Sequence, residues 1–131
     1  MPSSLPSTEK RRYVRYTTTP LVYAALGSSY SRVGRVVDIS VGGLGFEYIA
    51  EADLPNDLTK IDVFVTTNGI HIPAIACRKV YEFVIDGGFE QYRPTEDIFV
   101  KRCGVEFLRL EREQLFQLKN IIDLYGQRRP F

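Results

Sequence analysis

Hydrophobic residues recur at every second position in several short segments of the chain. The alternation is clear at Ile61, Val63 and Val65. It recurs at Ile70, Ile72, Ala74 and Ala76. A period of two is that of a β-strand with one face in the core. Together with runs of β-branched residues, the pattern predicts six strands, at residues 21–26, 33–39, 44–48, 61–66, 70–83 and 99–107.

Turn-forming residues separate the predicted strands. Asn68-Gly69 is the strongest short hairpin signal, because this pair suits a two-residue turn. Residues 84–97 contain two glycines, a proline and mixed charges, and the sequence leaves open an exposed loop or a long hairpin tip. Six strands without helices between them imply an antiparallel barrel or sandwich.

The hydrophobic period becomes helical near the C-terminus. One stripe of the segment 111–125 holds the apolar residues Leu115, Leu118, Ile122 and Tyr125. Glu111 and Glu113 favour the N-terminal end of a helix, and Gly126 is predicted to cap its C-terminal end. We expect this helix to lie on the barrel and residues 127–131 to form a short tail.

Length and composition predict one globular domain. The chain has 131 residues, of which 44% are hydrophobic and 25% charged, and this length can bury a core without disulfides or metals. No apolar run approaches the roughly 20 residues that cross a bilayer, and no signal-peptide pattern occurs. A cytoplasmic protein without membrane insertion is therefore expected.

Charge is distributed unevenly, although the net charge is only +1. Residues 1–35 hold six basic residues against Glu9 alone, a balance of +5, so the remainder carries −4. This places positive charge where an anionic ligand would bind, or else marks a basic tail without a specific partner.

The cysteines and the histidine suggest no metal or catalytic cluster. Cys77 and Cys103 are distant in sequence, each in a predicted strand, and are expected to be small buried hydrophobes. His71 is the only histidine, which argues against a zinc site or a catalytic triad. No enzymatic activity and no cofactor are predicted.

Arg11 and Arg15 lie four residues apart in a basic N-terminal arm, residues 1–16, together with Lys10 and Arg12. Arginine can bind a phosphate with two parallel hydrogen bonds, pair with the edge of guanine, or stack on a base. The prolines and hydroxyl residues of residues 1–8 predict an arm that is extended and flexible when free. An isolated arginine pair is more often a solvated basic stretch.

A second motif follows at residues 38–43. Asp38 and Ser40 project from the same side of one predicted strand, which ends in Gly42 and Gly43 at a surface turn. Asp38 can accept hydrogen bonds from guanine, and the glycines admit positive φ and leave room for a flat ligand. Asp and Ser before glycines are also common turn formers.

Together, these RxxxR and DxSxxG stretches resemble the signature of the PilZ domain, whose members bind cyclic di-GMP. The segment 103–107, Cys-Gly-Val-Glu-Phe, looks like the late GxxF strand of that family. The resemblance implies a six-stranded antiparallel β-barrel with a C-terminal helix over residues 17–126. It also implies a cyclic di-GMP site formed by Arg11, Arg15, Asp38, Ser40, Gly43, Lys10, Arg12 and Gly42.

The implied function is that of a bacterial stand-alone receptor for this second messenger. Ligand binding would order the arm and signal to an effector protein, with no covalent chemistry. Lys10 precedes the RxxxR stretch, where arginine is associated in the family with a bound ligand pair, so one or two ligands per protomer stays open. Pathway and oligomeric state also stay open.

Two other functions are compatible with the pattern. Some PilZ-like domains are protein-interaction modules that bind no nucleotide. A small barrel with a basic arm and eight tyrosines could also bind single-stranded nucleic acid, but the near-neutral total charge argues against it.

Overall fold

The computed structural model describes residues 13–27, 30–51, 58–85 and 98–128. Within these ranges, eight strands and one helix follow each other along the chain. They are β1 (Tyr16–Thr18), β2 (Val22–Leu26), β3 (Arg32–Ser40), β4 (Gly43–Glu51), β5 (Lys60–Val65), β6 (His71–Val84), β7 (Ile98–Arg109), α1 (Arg112–Tyr125) and β8 (Gly126–Arg128).

Six of the strands close into an antiparallel barrel. Their order is β2-β5-β6-β7-β4-β3, and a further β2–β3 pairing completes the circle. Alternate side chains of these strands fill the interior, and Phe46, Ile61 and Ile75 are among the largest that are fully buried. The predicted fold, a six-stranded antiparallel barrel with a C-terminal helix, is confirmed.

The alternation predicted for β6 is wrong after Ile72. Ala74 is exposed, whereas Ile75 and Cys77 are buried, so the phase of the strand changes. Ala74 has a left-handed φ of 52°, and the β5–β6 register shifts between Ile61 and Val63. One extra residue in a strand turns every later side chain to the opposite face.

Two short strands, which the sequence did not predict, extend the sheet beside β3. β1 pairs with β3 on one side and with β8 on the other. Tyr16, placed in the arm from the sequence, therefore begins a strand and packs against the core. Gln127 and Arg128, assigned to the tail, belong to β8. The rest of the predicted tail lies outside the described residues.

The helix lies where it was predicted. It buries Leu118 and Ile122 of the predicted stripe and also Ile121, whereas Leu115 and Tyr125 are only partly buried. The Gln114 side chain accepts a hydrogen bond from the Glu111 backbone N–H at 2.9 Å and donates one to the Pro73 carbonyl at 3.2 Å. The Gly126 N–H bonds to the Ile122 carbonyl and ends the helix. Since Gly126 also begins β8, α1 connects β7 to the strand beside β1.

One end of the barrel interior holds a buried ion pair. Arg32, only 4% exposed, donates to Glu82 at 2.7 Å and to the Tyr48 hydroxyl at 3.1 Å. Burial would raise the pKa of Glu82, but hydrogen bonds from Arg32, Tyr48 and Lys79 lower it to about 2. Arg32 is one of the six basic residues in the segment 1–35. The prediction that it is available to an anionic ligand is wrong, because Glu82 holds it in the interior.

Both cysteines are free and buried, as predicted. Burial raises the pKa of Cys77 to about 11 and that of Cys103 to about 12, so both thiols keep their protons at neutral pH. Among the described residues no three His, Cys, Asp or Glu side chains form a group that could hold a metal ion. None of the helical structure in the described ranges is long and apolar enough to cross a membrane.

Candidate functional site

A cavity of about 360 Å³ opens where β1, the β3–β4 turn, β6 and β7 meet. Five of the eight residues predicted for the site line it: Arg15, Asp38, Ser40, Gly42 and Gly43. The other three, Lys10, Arg11 and Arg12, lie outside the described residues. The two sequence motifs therefore meet in space, at least through Arg15.

The β1–β3 pairing holds Arg15 at this cavity. Tyr16 pairs with Ile39 and Thr17 with Asp38, so Arg15 directly precedes the paired segment. Its Nη1 lies 3.5 Å from Asp38 Oδ2, and one third of its side chain stays exposed. The guanidinium is thus held by an ion pair while part of the side chain faces solvent.

Ser40 shapes the turn that forms one wall of the cavity. Its Oγ accepts a hydrogen bond from the Gly42 N–H at 3.0 Å and donates one to the Gly43 carbonyl at 3.4 Å. The Phe107 N–H donates to the Gly42 carbonyl at 2.9 Å and fixes the turn to β7. Asp38 and Ser40 are 9% and 7% exposed, so both are buried rather than placed on an exposed turn as predicted.

The two glycines of the motif serve close approach rather than positive φ. Neither has a positive φ; among the described glycines only Gly27 and Gly69 do. A Cβ on Gly42 would lie 2.2 Å from the Tyr13 ring, and a Cβ on Gly43 would lie 2.2 Å from the Val105 carbonyl oxygen. Glycine is required because an aromatic ring and a neighbouring strand occupy that space.

A row of four residues crosses the outer face of the barrel at the cavity, and three of them, Asp38, Gly104 and Tyr81, line it. Asp38 on β3 faces Gly45 on β4, Gly45 faces Gly104 on β7, and Gly104 faces Tyr81 on β6. A Cβ on Gly45 would lie 2.9 Å from the Tyr81 hydroxyl oxygen and 3.0 Å from Asp38 Oδ1. The phenol and the carboxylate therefore converge over Gly45.

Gly104 allows Tyr81 to lie flat on the sheet. A Cβ at Gly104 would stand 2.1 Å from the Tyr81 ring. Burial raises the pKa of Tyr81, and the nearby charge of Asp38 adds to the rise against the opposing effect of Arg15 and Arg102. The neutral ring and its hydroxyl donor thus form a flat, half-buried part of the cavity lining.

Tyr13, Tyr81, Gly45 and Gly104 were not predicted from the sequence as residues of the site. A glycine inside a strand marks a close approach, so Gly104 in the middle of β7 carried a readable signal. Tyr81 carried none, because the β6–β7 register shifts between Lys79 and Tyr81. The face to which its side chain points follows from that shift.

The described lining of the cavity carries little positive charge. Arg15 is its one cation, and Asp38 and Glu106 are its carboxylates, the latter paired with Arg78. An anion bound here would need further cations, and the nearest in sequence are Lys10, Arg11 and Arg12.

Two solved structures resemble the fold. The PilZ domain of YcgR from Escherichia coli with c-di-GMP aligns with a TM-score of 0.58 and 20% identity, covering 88% of this chain and 90% of that one. YcgR from the same organism in complex with c-di-GMP aligns with a TM-score of 0.60 and 20% identity, and the alignment covers 88% of this chain and 45% of that one. No family model and no curated protein matches the sequence. The chain has the fold of a PilZ domain, which is the fold that the motif resemblance implied.

Proposed function

We propose that the chain is a cyclic di-GMP receptor that binds this ligand in the cavity between β1, the β3–β4 turn and β6–β7. The observation that carries the proposal is the meeting of Arg15, Asp38, Ser40, Gly42 and Gly43 in one cavity. The two solved structures with the same fold were determined with c-di-GMP, which supports the same ligand here.

The lining suits a guanine base attached to a phosphodiester. Asp38 can accept hydrogen bonds from the N1 and N2 hydrogens of guanine, and Arg15 can bind a phosphate oxygen or the O6 and N7 edge. The Tyr81 ring offers a stacking surface beside the glycine row. Binding and positioning account for this role without covalent chemistry.

The N-terminal arm supplies the missing positive charge in this proposal. The ligand carries two negative charges, whereas the described lining offers one guanidinium that is already paired with Asp38. Lys10, Arg11 and Arg12 would close over the phosphates and bridge arm and barrel. The ordered arm would present a new surface to an effector protein, since a ligand shifts an equilibrium through its differential affinity for two states.

Calorimetric titration with cyclic di-GMP tests the proposal, with GTP and a single-stranded oligonucleotide as competitors of other classes. We expect saturable binding of cyclic di-GMP alone, and loss of it in Arg15→Ala. Arg35→Ala is the matched control, because Arg35 is an exposed arginine on β3 that does not line the cavity. A wild-type protein that binds no cyclic di-GMP contradicts the proposal.

A second candidate is an interaction module that binds no nucleotide. The Arg15–Asp38 ion pair favours it, because the pair satisfies both charges without a ligand. The same titration separates the two functions, since an interaction module gives no heat with cyclic di-GMP although its motifs are intact.

A further inference from the structure

A second cavity of about 450 Å³ lies on the outer face of β2, β5 and β6 and shares no residue with the first. Its walls are the side chains of Ala25, Tyr30, Val33, Phe64, Ile70 and His71. Asp62 lies in the same lining and is only 7% exposed. The cavity therefore combines apolar walls with one nearly buried carboxylate.

Asp62 is held by three donors from different parts of the chain. Its Oδ2 accepts from the Tyr30 hydroxyl at 3.3 Å and lies 2.8 Å from His71 Nε2. Its Oδ1 accepts from the Ala74 N–H at 2.9 Å. The charge of Asp62 and the hydrogen bond between Tyr30 and Asp62 raise the pKa of Tyr30. The phenol therefore keeps the proton that it donates to Asp62.

Backbone strain is concentrated around this carboxylate. Among the described residues, Tyr30 and Ala74 are the only non-glycine residues with positive φ, each at 52°. Both donate a hydrogen bond to Asp62. A left-handed φ is strained for a non-glycine residue, and such strain occurs preferentially at functional positions. Both residues with this conformation therefore hold the same buried carboxylate.

The walls present aromatic rings in a fixed arrangement. Phe64 stacks on Tyr23 with ring centroids 5.9 Å apart, and the His71 ring meets Phe64 edge-on at 6.3 Å. No lysine or arginine lines this cavity in the part of the chain that the structure describes. A phosphate would find no cation here among the described residues, whereas a cationic group finds aromatic rings and a carboxylate.

We propose that this cavity binds an arginine side chain of a protein partner. Its apolar stem would pack against Val33 and Ile70, its planar guanidinium would stack on Phe64, and its N–H donors would reach Asp62. Arginine fits better than lysine because a guanidinium is flat, stacks on aromatic rings and is more weakly hydrated than an ammonium. A carboxylate accepts about four hydrogen bonds, so Asp62 keeps capacity beside its three donors. The site is independent of the proposed nucleotide site.

A purely structural role for Asp62 makes a different prediction. The carboxylate would then only tie the segment at Tyr30 to the β5–β6 hairpin, and added guanidinium compounds would leave this face unchanged. The experiment therefore measures ligand binding in addition to stability.

The test is an NMR titration of the whole chain with N-acetyl-arginine N-methylamide, following the backbone amides of Phe64, Ile70 and Ala74. The norleucine analogue carries a similar apolar stem without charge, and the lysine analogue carries charge without the plane. We expect saturable shifts with the arginine compound. The norleucine and lysine analogues should bind at least about tenfold more weakly. Asp62→Asn should weaken arginine binding about tenfold or more, because a charge-assisted contact is lost.

Asp38→Asn is the matched control, because it neutralises a comparably buried carboxylate at the other cavity; it should leave arginine binding unchanged. Phe64→Leu replaces Asp62→Asn if that variant unfolds, since it removes the stacking ring and keeps an apolar side chain. Equal shifts with the norleucine analogue, no saturable shift with the arginine compound, or unchanged binding in the variants would each overturn the proposal.

Discussion

Arg15 and Asp38, one from each sequence motif, form an ion pair with Nη1 and Oδ2 3.5 Å apart. The pair links the residue that precedes β1 to the bulged end of β3, where the β3–β4 register shifts between Val36 and Asp38. In the proposed receptor, the ligand competes for both partners. The ion pair thus positions Arg15. It also opposes ligand binding, because the ligand must replace this interaction.

Replacing Arg15 with alanine should weaken cyclic di-GMP binding strongly. The change removes charge-assisted hydrogen bonds of about 1.5–3 kcal/mol, which corresponds to about tenfold to over a hundredfold in Kd. Arg15→Lys should recover only part of the loss, because lysine lacks the planar fork. Calorimetry measures both, and wild-type affinity in Arg15→Ala would exclude this cavity as the site.

Deleting residues 1–12 should leave the barrel folded but weaken ligand binding more than Arg15→Ala does. The deletion removes Lys10, Arg11 and Arg12 while it keeps Tyr13, Arg15 and β1. Binding by the full chain should also fall steeply as salt concentration rises, because screening acts on exposed charges. Unfolding curves check the fold, and full affinity in the truncated chain would rule out the arm as a source of charge.

Tyr81 and Gly104 should behave as a coupled pair. Tyr81→Ala removes the proposed stacking surface and should cost about 1–3 kcal/mol of binding, whereas Tyr81→Phe keeps the ring and should bind nearly as well as wild type. Gly104→Ala should weaken binding, because the new Cβ would lie 2.1 Å from the Tyr81 ring and displace it. In the Tyr81→Ala background, Gly104→Ala should add little, and additive losses would contradict the coupling.

Ser40→Ala should lower both stability and affinity. The hydroxyl bonds to Gly42 and Gly43 within the turn, so its loss should reduce the free energy of unfolding by about 1 kcal/mol. Thermal melting and calorimetry on the same variant measure the two effects. An unchanged melting temperature would mean that the turn does not depend on this hydroxyl.

The Arg32–Glu82 pair predicts how stability depends on pH. The pKa of Glu82 falls from 4.5 to about 2 on folding, so its contribution is fully present above pH 4.5 and is lost as the pH falls toward about 2. Glu82→Gln should cost about 3–5 kcal/mol, because it leaves Arg32 buried without its counter-charge. Denaturant unfolding at several pH values gives both results.

The control for that experiment is Glu106→Gln, which breaks an exposed ion pair with Arg78. Exposed pairs contribute about 0–1 kcal/mol, so this variant should unfold nearly like wild type. Equal losses in the two variants would show that the interior position of Glu82 is not what makes it stabilising.

The sequence by itself determined the six barrel strands, the helix and the two motifs. These features are local. Hydrophobic residues repeat every two positions in the strands and every 3.6 in the helix, and the Asn68-Gly69 turn signal spans two residues, so each can be recognised in a short stretch of sequence. The confirmed fold and the two buried cysteines follow from them. The motif residues could be named before their distances were known, because arginine, aspartate and glycine have characteristic chemistry.

Only the tertiary structure decided which side chains meet. Bulges near Val36, Lys79 and Ala74 shift the registers of β3, β6 and their neighbours, and a shift by one residue reverses the face of every later side chain. Tyr81 consequently lies over Gly104. Asp62 forms hydrogen bonds with Tyr30, His71 and Ala74. The burial of Arg32 with Glu82 likewise depends on strands 50 residues apart in sequence. Local patterns carry no information about such pairings, because they are set by closure of the whole barrel.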